Sequence, residues 1–571
     1  MDKRWARTPG ARNQLALFST SLEDAVAPGH CVRAFDACMD LVDWSPFEAR
    51  YASRVGQPAI HPRLVASAIL YGLLRNVRSS RALEDATRER IDFIWLLEGR
   101  GIDHATFAAF RAQFGAELKD LNRGLSRLVC TRFEGALLTL IIDGTRIRAN
   151  SDRHGARTAE ALERLIAVCA AELDRKLALL GDEDARATAD AQRLLWDAPA
   201  PSETQAPSDV PAPRDLQAPR DVQAPRDRQA LSDAQREIKR LEAKIARYER
   251  ALGVCRERDA IKKAKDGKNA TPVRVPVVDC DAQLAPNKEG GFAPNYTPVI
   301  AVDAATGLIV DNEVLAGADE ASAVMPAVKS AMEISGRAPE RVLGDSGFAQ
   351  GENLAALDAM GIEAYMPTTA DFRPSNPANR GDGTIAISPS DWDHLPLRGK
   401  KLASSAFIYD TENDCYHCPM GKRLDRVRGT TNQSTGVTHT QYQCPGKAGC
   451  PLADRCVRTD AHARTLTRDS HQPLRDAAGR RMITAEGREI YKARAPIVEG
   501  TFAVIKHHMG IRRFLMRGLE KVRQEWNWIC TAYNIKKILA MLPKPQRKSP
   551  KQHEEPRRSP KIQPIERPRA A

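Results

Sequence analysis

Three carboxylates stand where chemistry can be built: Asp143 at the end of the apolar run ALLTLIIDG, Asp345 in RVLGDSGF, and Glu499 in APIVEGTFAVIKHHMGIRRF. The first two each close a short apolar or β-branched segment, so each reads as an acid delivered at a strand tip. Glu499 lies among Arg494, Lys506, Arg512 and Arg513, a helical setting suited to phosphate that nevertheless keeps one acid. Phosphoryl transfer with two divalent ions needs hard oxygen ligands from separate elements, converging so that the ions sit roughly 3.5–4 Å apart. Taken singly, an Asp-Gly at a strand end is more often turn chemistry, and a helical Glu more often part of a solvated face. Their joint placement in one α/β layout gives the set its meaning.

A second constellation is local. Cys415 and Cys418 form the knuckle CYHC, and CPGKAGCPLADRC adds Cys444, Cys450 and Cys456. Tetrahedral zinc takes four thiolate or imidazole ligands, so four of these five cysteines suffice, with His417 and His439 as further candidates. Free thiols in a reducing compartment are the bland alternative. Cys130, Cys169 and Cys530 read as small buried apolar residues.

The elements that must position these groups follow from periodicity. Residues 1–130 read as a helical module, with Leu64, Ile69, Leu73 and Leu74 on one stripe. Residues 131–155 supply the first core strand. Residues 156–270 read as an inserted helical hairpin: a seam of Leu231, Ile238, Leu241, Ile245, Tyr248 and Leu252 pairs with 156–195, and QAP(R/S)D repeats over 198–230 form a proline-rich linker. Residues 271–370 continue the core with TPVRVPVVDCDAQ as a strand, a hairpin turning at DAATG, then alternating helix and strand. A turn-rich, cysteine-bearing insertion over 371–480 precedes the C-terminal core helices, 481–543, and a basic Pro-rich tail, 544–571. Trp526, Ile529, Tyr533 and Leu539 recur at helical intervals and read as core.

The 571 residues carry 86 Lys and Arg against 73 Asp and Glu, a formal charge of +13, which favours a polyanionic partner. No run of about 18 apolar residues occurs and the N-terminal stretch lacks a signal-type apolar segment, so no membrane partner is expected.

Taken together these motifs resemble the DDE transposases of bacterial insertion sequences. The resemblance rests on LIIDGTRIRANS, NYTPVIAVDAATGLIV, VLGDSGFAQGENL and YKARAPIVEGTFAVIKHHMGIRRFLMRGLEKVRQEWNWICTAYNIKKIL, with HPRLVASAILYGLLRNVRSSRALE resembling the helical module that precedes the core. It implies a ribonuclease-H-like mixed-sheet core within an α/β chain, together with a zinc-ribbon-like insertion. Asp143, Asp345 and Glu499 would then hold two Mg²⁺, and Tyr491, Arg494, Lys506, Arg512 and Arg513 would contact DNA. Tyr491, Arg494, Glu499 and Lys506 are expected along one face of one helix, with Arg494 and Lys506 on backbone phosphates. Implied partners are double-stranded DNA at element ends and target, and further copies of the chain, in a bacterial cytoplasm at the nucleoid. Two other readings are a catalytically silent DNA-binding protein on the same scaffold and a ribonuclease-H-type nuclease that does not join ends.

Overall fold

The structure, a computed structural model, describes residues 21–51, 58–196, 224–266, 271–286, 291–315, 319–369 and 371–542. Most of the proline repeat and all of the tail from 544 lie outside the described residues.

The N-terminal helices are not a separate body. Helix α1 (Pro62–Leu74) is buried on nearly every face rather than along one stripe, because Val65, Ala66, Ala68, Leu70 and Tyr71 are as enclosed as Leu64 and Ile69. Together with α2 (Gly115–Cys130) it packs against the C-terminal helix described below.

Strand β1 (Thr139–Gly144) is central. It runs antiparallel to β2 (Phe292–Asp303), with Asp143 opposite Ile300, and β2 forms a hairpin with β3 (Ile309–Leu315). On its other side β1 lies parallel to β4 (Arg341–Leu343), itself parallel to β5 (Glu363–Tyr365). The order β3-β2-β1-β4-β5 therefore puts both strand-tip acids side by side at the same end of adjacent parallel strands. Alternation along β1 feeds two hydrophobic clusters: Ile141 joins one with Ile300, Val302 and Leu343, while Leu140 and Ile142 join the other with Val299, Ala301 and Val342. Such two-sided burial is why the run reads as continuously apolar.

Between β1 and β2 the chain leaves the sheet as a long pair, α3 (Ala159–Trp196) and α4 (Ala224–Asp266). Ion pairs Arg256–Glu163 at 2.7 Å and Lys176–Glu237 at 2.5 Å fix the pair as antiparallel. Helix α4 begins inside the stretch expected as linker; Pro225 sits in its first turn, where the missing N–H has no intrahelical partner to lose. The segment TPVRVPVVDCDAQ is not one strand but two short pieces, Val275–Pro276 and Gln283–Pro286. Its acids serve elsewhere: Asp279 accepts from Gly518 N at 3.1 Å and Asp281 from Leu519 N at 2.9 Å, satisfying the exposed N–H groups at the start of the C-terminal helix.

Helices α5 (Val324–Ser335) and α6 (Gly351–Ala359) cover the second face of the sheet. The cysteine insertion carries more regular structure than its turn-rich sequence suggests. Its five antiparallel strands are β6 (Ile408–Asp410), β7 (Cys415–His417), β8 (Arg423–Thr431), β9 (Thr438–Gln443) and β10 (Thr465–Asp469), and they have a hydrophobic core of their own. Return to the main core comes earlier than residue 481, since α7 (Gln472–Ile483) already buries Ala478 against the second cluster.

Where one continuous helix is expected around Glu499 there are three elements: α8 (Ala485–Lys492), α9 (Arg494–Ala503) and a π-helical turn, Val504–His508. Helix α10 (Leu519–Met541) follows and buries Trp526, Trp528, Ile529 and Tyr533 in the first cluster, confirming their core role. Asn534 pins it in place, accepting from Ile309 N at 2.8 Å and donating to Ile309 O at 2.7 Å and Asn122 Oδ1 at 2.8 Å. Cys130, Cys169 and Cys530 are buried, as expected.

Candidate active site

Asp143 ends β1 with its carboxylate half-buried. Oδ1 accepts from Gly144 N at 3.0 Å, the local turn bond that the bland reading anticipates, and also from Arg494 Nη2 at 2.8 Å. Burial raises the Asp143 carboxyl above its ordinary range; Arg494 opposes this, while Asp345 and Glu499 push in the same direction as burial. Asp345 and Glu499, far apart in sequence, are therefore both near enough to act on Asp143. Asp345 stands just beyond β4, its Oδ1 accepting from Gly347 N at 2.7 Å, and Glu499 is exposed on α9.

The break at Ala493 and the π turn alter the expected helical stripe. Met509 N bonds Val504 O at 2.9 Å, five residues back, so the turn holds an extra residue and Lys506 is not simply two α-turns beyond Glu499. Its Nζ donates to Thr145 Oγ1 at 2.5 Å, two residues past Asp143. Arg494 and Lys506 thus both reach the tip of β1. A partly buried carboxylate cluster draws in the nearest cation, because desolvated like charges are costly without one. Tyr491 is half-buried beside them, and burial, with Asp345 and Asp143, raises its hydroxyl. Arg512 and Arg513 are exposed; Arg512 Nη2 meets His507 Nδ1 at 3.0 Å, and Arg513 bridges through its backbone to Arg148.

The sequence did not reveal what fixes this loop. Asn76 Nδ2 donates to His508 O at 3.0 Å, and Arg78 donates to Gly510 O at 2.9 Å and Arg513 O at 2.7 Å. Gly510, at φ +68°, gives the turn its left-handed backbone. Polar residues just past a buried helix are a faint signal for such a distant role.

In the insertion the five cysteines separate. Burial pushes the Cys456 thiol up to about 11; Arg464 counters this, and Cys444, Cys418 and Cys450 add to it. Cys418 is raised by burial first and also by Cys450 and Cys444. Backbone amides aim at two of these sulfurs, Met420 N to Cys418 at 3.3 Å and Arg464 N to Cys444 at 3.2 Å. Cys415 belongs elsewhere: it faces Asp410 and His417, and the ligand atoms of these three lie within 4.8 Å of one another. Among the described residues no other set of three metal-ligand types is that tight. His439 is exposed on β9.

A cleft of about 1470 Å³ opens between insertion and core, lined by Arg373, Arg398, Lys401, Arg458 and Arg488 among others. None of the three acids lines it.

Residues 417–539 match a family described as a transposase DDE domain, and residues 20–113 match a second described as a transposase domain (DUF772). The two matches support a DDE transposase. No curated protein matches it. The DDE match takes in Tyr491, Arg494, Glu499 and Lys506 and four of the five clustered cysteines, but not Asp143 or Asp345. A transposase acts on DNA, in keeping with the +13 charge. No helix among the described residues is long and apolar enough to cross a membrane.

Proposed function

We propose that this transposase hydrolyses a phosphodiester at each end of an insertion sequence and joins the freed 3′-hydroxyl to target DNA, with Asp143, Asp345 and Glu499 as oxygen donors for two Mg²⁺. The observation that carries this reading is that Asp143 and Asp345 stand at the same end of adjacent parallel strands, with Arg494 of the helix that carries Glu499 bonded to Asp143 at 2.8 Å. The donor set fits the ions: hard carboxylate oxygens, partly desolvated and opposed by a single close guanidinium, favour a divalent cation. When bound, the ions supply Lewis acidity at the phosphoryl oxygens and lower the pKa of the attacking hydroxyl.

The chain's own residues align and shield. Arg494, held against Asp143, offsets the negative charge of the pocket, and Lys506 with Thr145 forms its wall toward the π turn. In the first step water oxygen bonds to phosphorus and the 3′-oxygen at the element's end leaves. In the second, that 3′-oxygen attacks a target phosphorus and displaces the target's own 3′-oxygen. No bond to the enzyme forms in either step. Exposed Arg512 and Arg513 and the basic cleft supply phosphate contacts, a sequence-independent affinity that falls with salt.

The strand order supports a ribonuclease-H-like core, and the cysteine-bearing insertion, where Asp410, Cys415 and His417 bring ligand atoms within 4.8 Å of one another, supports a structural zinc held among its cysteines. Synapsis of two ends would require more than one copy of the chain, and bacterial nucleoid DNA is the natural substrate. The test is cleavage of DNA carrying the sequences that flank the coding region, with purified full chain and Mg²⁺. Cleavage and joined products that vanish in Asp345→Asn, with binding retained, support the reading. Binding with no cleavage by wild type overturns it.

A further inference from the structure

Past β3 the chain enters a 3-10 turn, Glu320–Ala323, that leads into α5. The turn is tied to the loop that carries Asp345. Gln350 Nε2 donates to Asp319 Oδ1 at 3.0 Å, and Asn353 Nδ2 donates to Ala321 O at 2.9 Å and Phe348 O at 3.2 Å. Asp319 is occupied in holding the turn, since Oδ1 also accepts from Ala321 N at 3.2 Å. Its neighbour Glu320 instead packs on the tip of β1: a Cβ built on Gly144 would collide with the Glu320 carboxylate. That glycine directly follows Asp143, so its missing side chain is what admits the fourth acid.

Glu320 is half-buried there, between the tip of β1 and the loop that carries Asp345. Placing a carboxylate against two others stabilises nothing in the fold by itself; glutamine would fill the same space without repulsion. Sites that give up stability in this way are typically functional.

We propose that Glu320 is a fourth oxygen donor of the metal pocket, shared with Asp143 and Asp345. This rests on the reading of those three acids as the metal-binding set. Mn²⁺ alone is the probe, with the full chain and the variants Glu320→Gln and Asp143→Asn, read by titration calorimetry, by melting temperature with and without Mn²⁺, and by cleavage at rising Mg²⁺.

The expected result for Glu320→Gln is roughly 10–100-fold weaker Mn²⁺ binding, a smaller Mn²⁺-induced rise in melting temperature than in wild type, and a cleavage defect that shrinks as Mg²⁺ rises. Its metal-free melting temperature should equal or exceed that of wild type, which a merely structural role would not give. Wild-type Mn²⁺ binding in Glu320→Gln, with Asp143→Asn losing both binding and cleavage, overturns this inference and leaves the three-acid reading standing. A lowered metal-free melting temperature with unchanged Mn²⁺ affinity assigns Glu320 to folding and also overturns it. Undiminished cleavage in both variants overturns both readings.

Discussion

The acid pocket draws Asp143 from a strand tip, Asp345 from a loop after a second strand and Glu499 from a helix, and the sheet beneath them is buried on both faces. The cysteine insertion draws its ligand types from one stretch of sequence, folded on a much smaller core of its own. The first geometry is held by hydrophobic packing whether or not an ion is present. The second has little apolar area to hold it and leans on whatever joins its sulfurs. One pocket is therefore held by packing and free to carry functional repulsion, while the other, if it holds the proposed zinc, should depend on it for its shape.

Substitutions can break or sharpen this contrast. Asp143→Asn should take DNA cleavage below detection while leaving the melting temperature unchanged or higher, because it removes repulsion from a pocket that packing already holds; a large loss of stability would break the contrast. Cys456→Ser, or a strong chelator, should do the reverse, making residues 371–469 sensitive to limited proteolysis while α10 stays protected, since structural zinc in small domains contributes on the order of 10 kcal/mol. Trp526→Ala should cost roughly 3–5 kcal/mol in denaturant unfolding, as the loss of a large buried side chain from the cluster under the acids. Asn534→Leu leaves the Ile309 N–H without its partner and should cost about 1–3 kcal/mol by the same measurement. Arg512→Ala should leave stability unchanged and lower DNA affinity only modestly, with a shallower dependence of binding on salt.

How far the sequence could be read follows the same division. Asp143 and Asp345 were visible because a two-sided buried strand is a plain apolar run and an acid at its tip interrupts it. The cysteines were visible as residue types, yet the grouping of Cys415 with Asp410 and His417 depends on the register of β6 and β7, which sets Asp410 opposite Cys415. Strand β8 was illegible because nearly all its residues are exposed and it carries no apolar alternation. The helix break at Ala493 is marked by Pro496, which cannot continue a helix from α8 but is tolerated in the first turn of α9; the π turn left no such mark, and Glu320 sits in a polar stretch, DEAS, that reads as a loop. In TPVRVPVVDCDAQ the β-branched residues promised a strand, but the prolines interrupt the ladder and the acids are taken up by the start of α10.

The enclosure of α1 has a consequence for synthesis. Its apolar surface is closed by α10, and Leu70, Ile141 and Trp528 lie in one cluster, so the ribosome delivers the first of these long before the last. Until residue 541 emerges, the early helices have no finished partner to bury against and must be kept from one another. A message truncated before α10 would therefore yield a sticky, short-lived product rather than a free-standing N-terminal domain able to occupy DNA without cutting it.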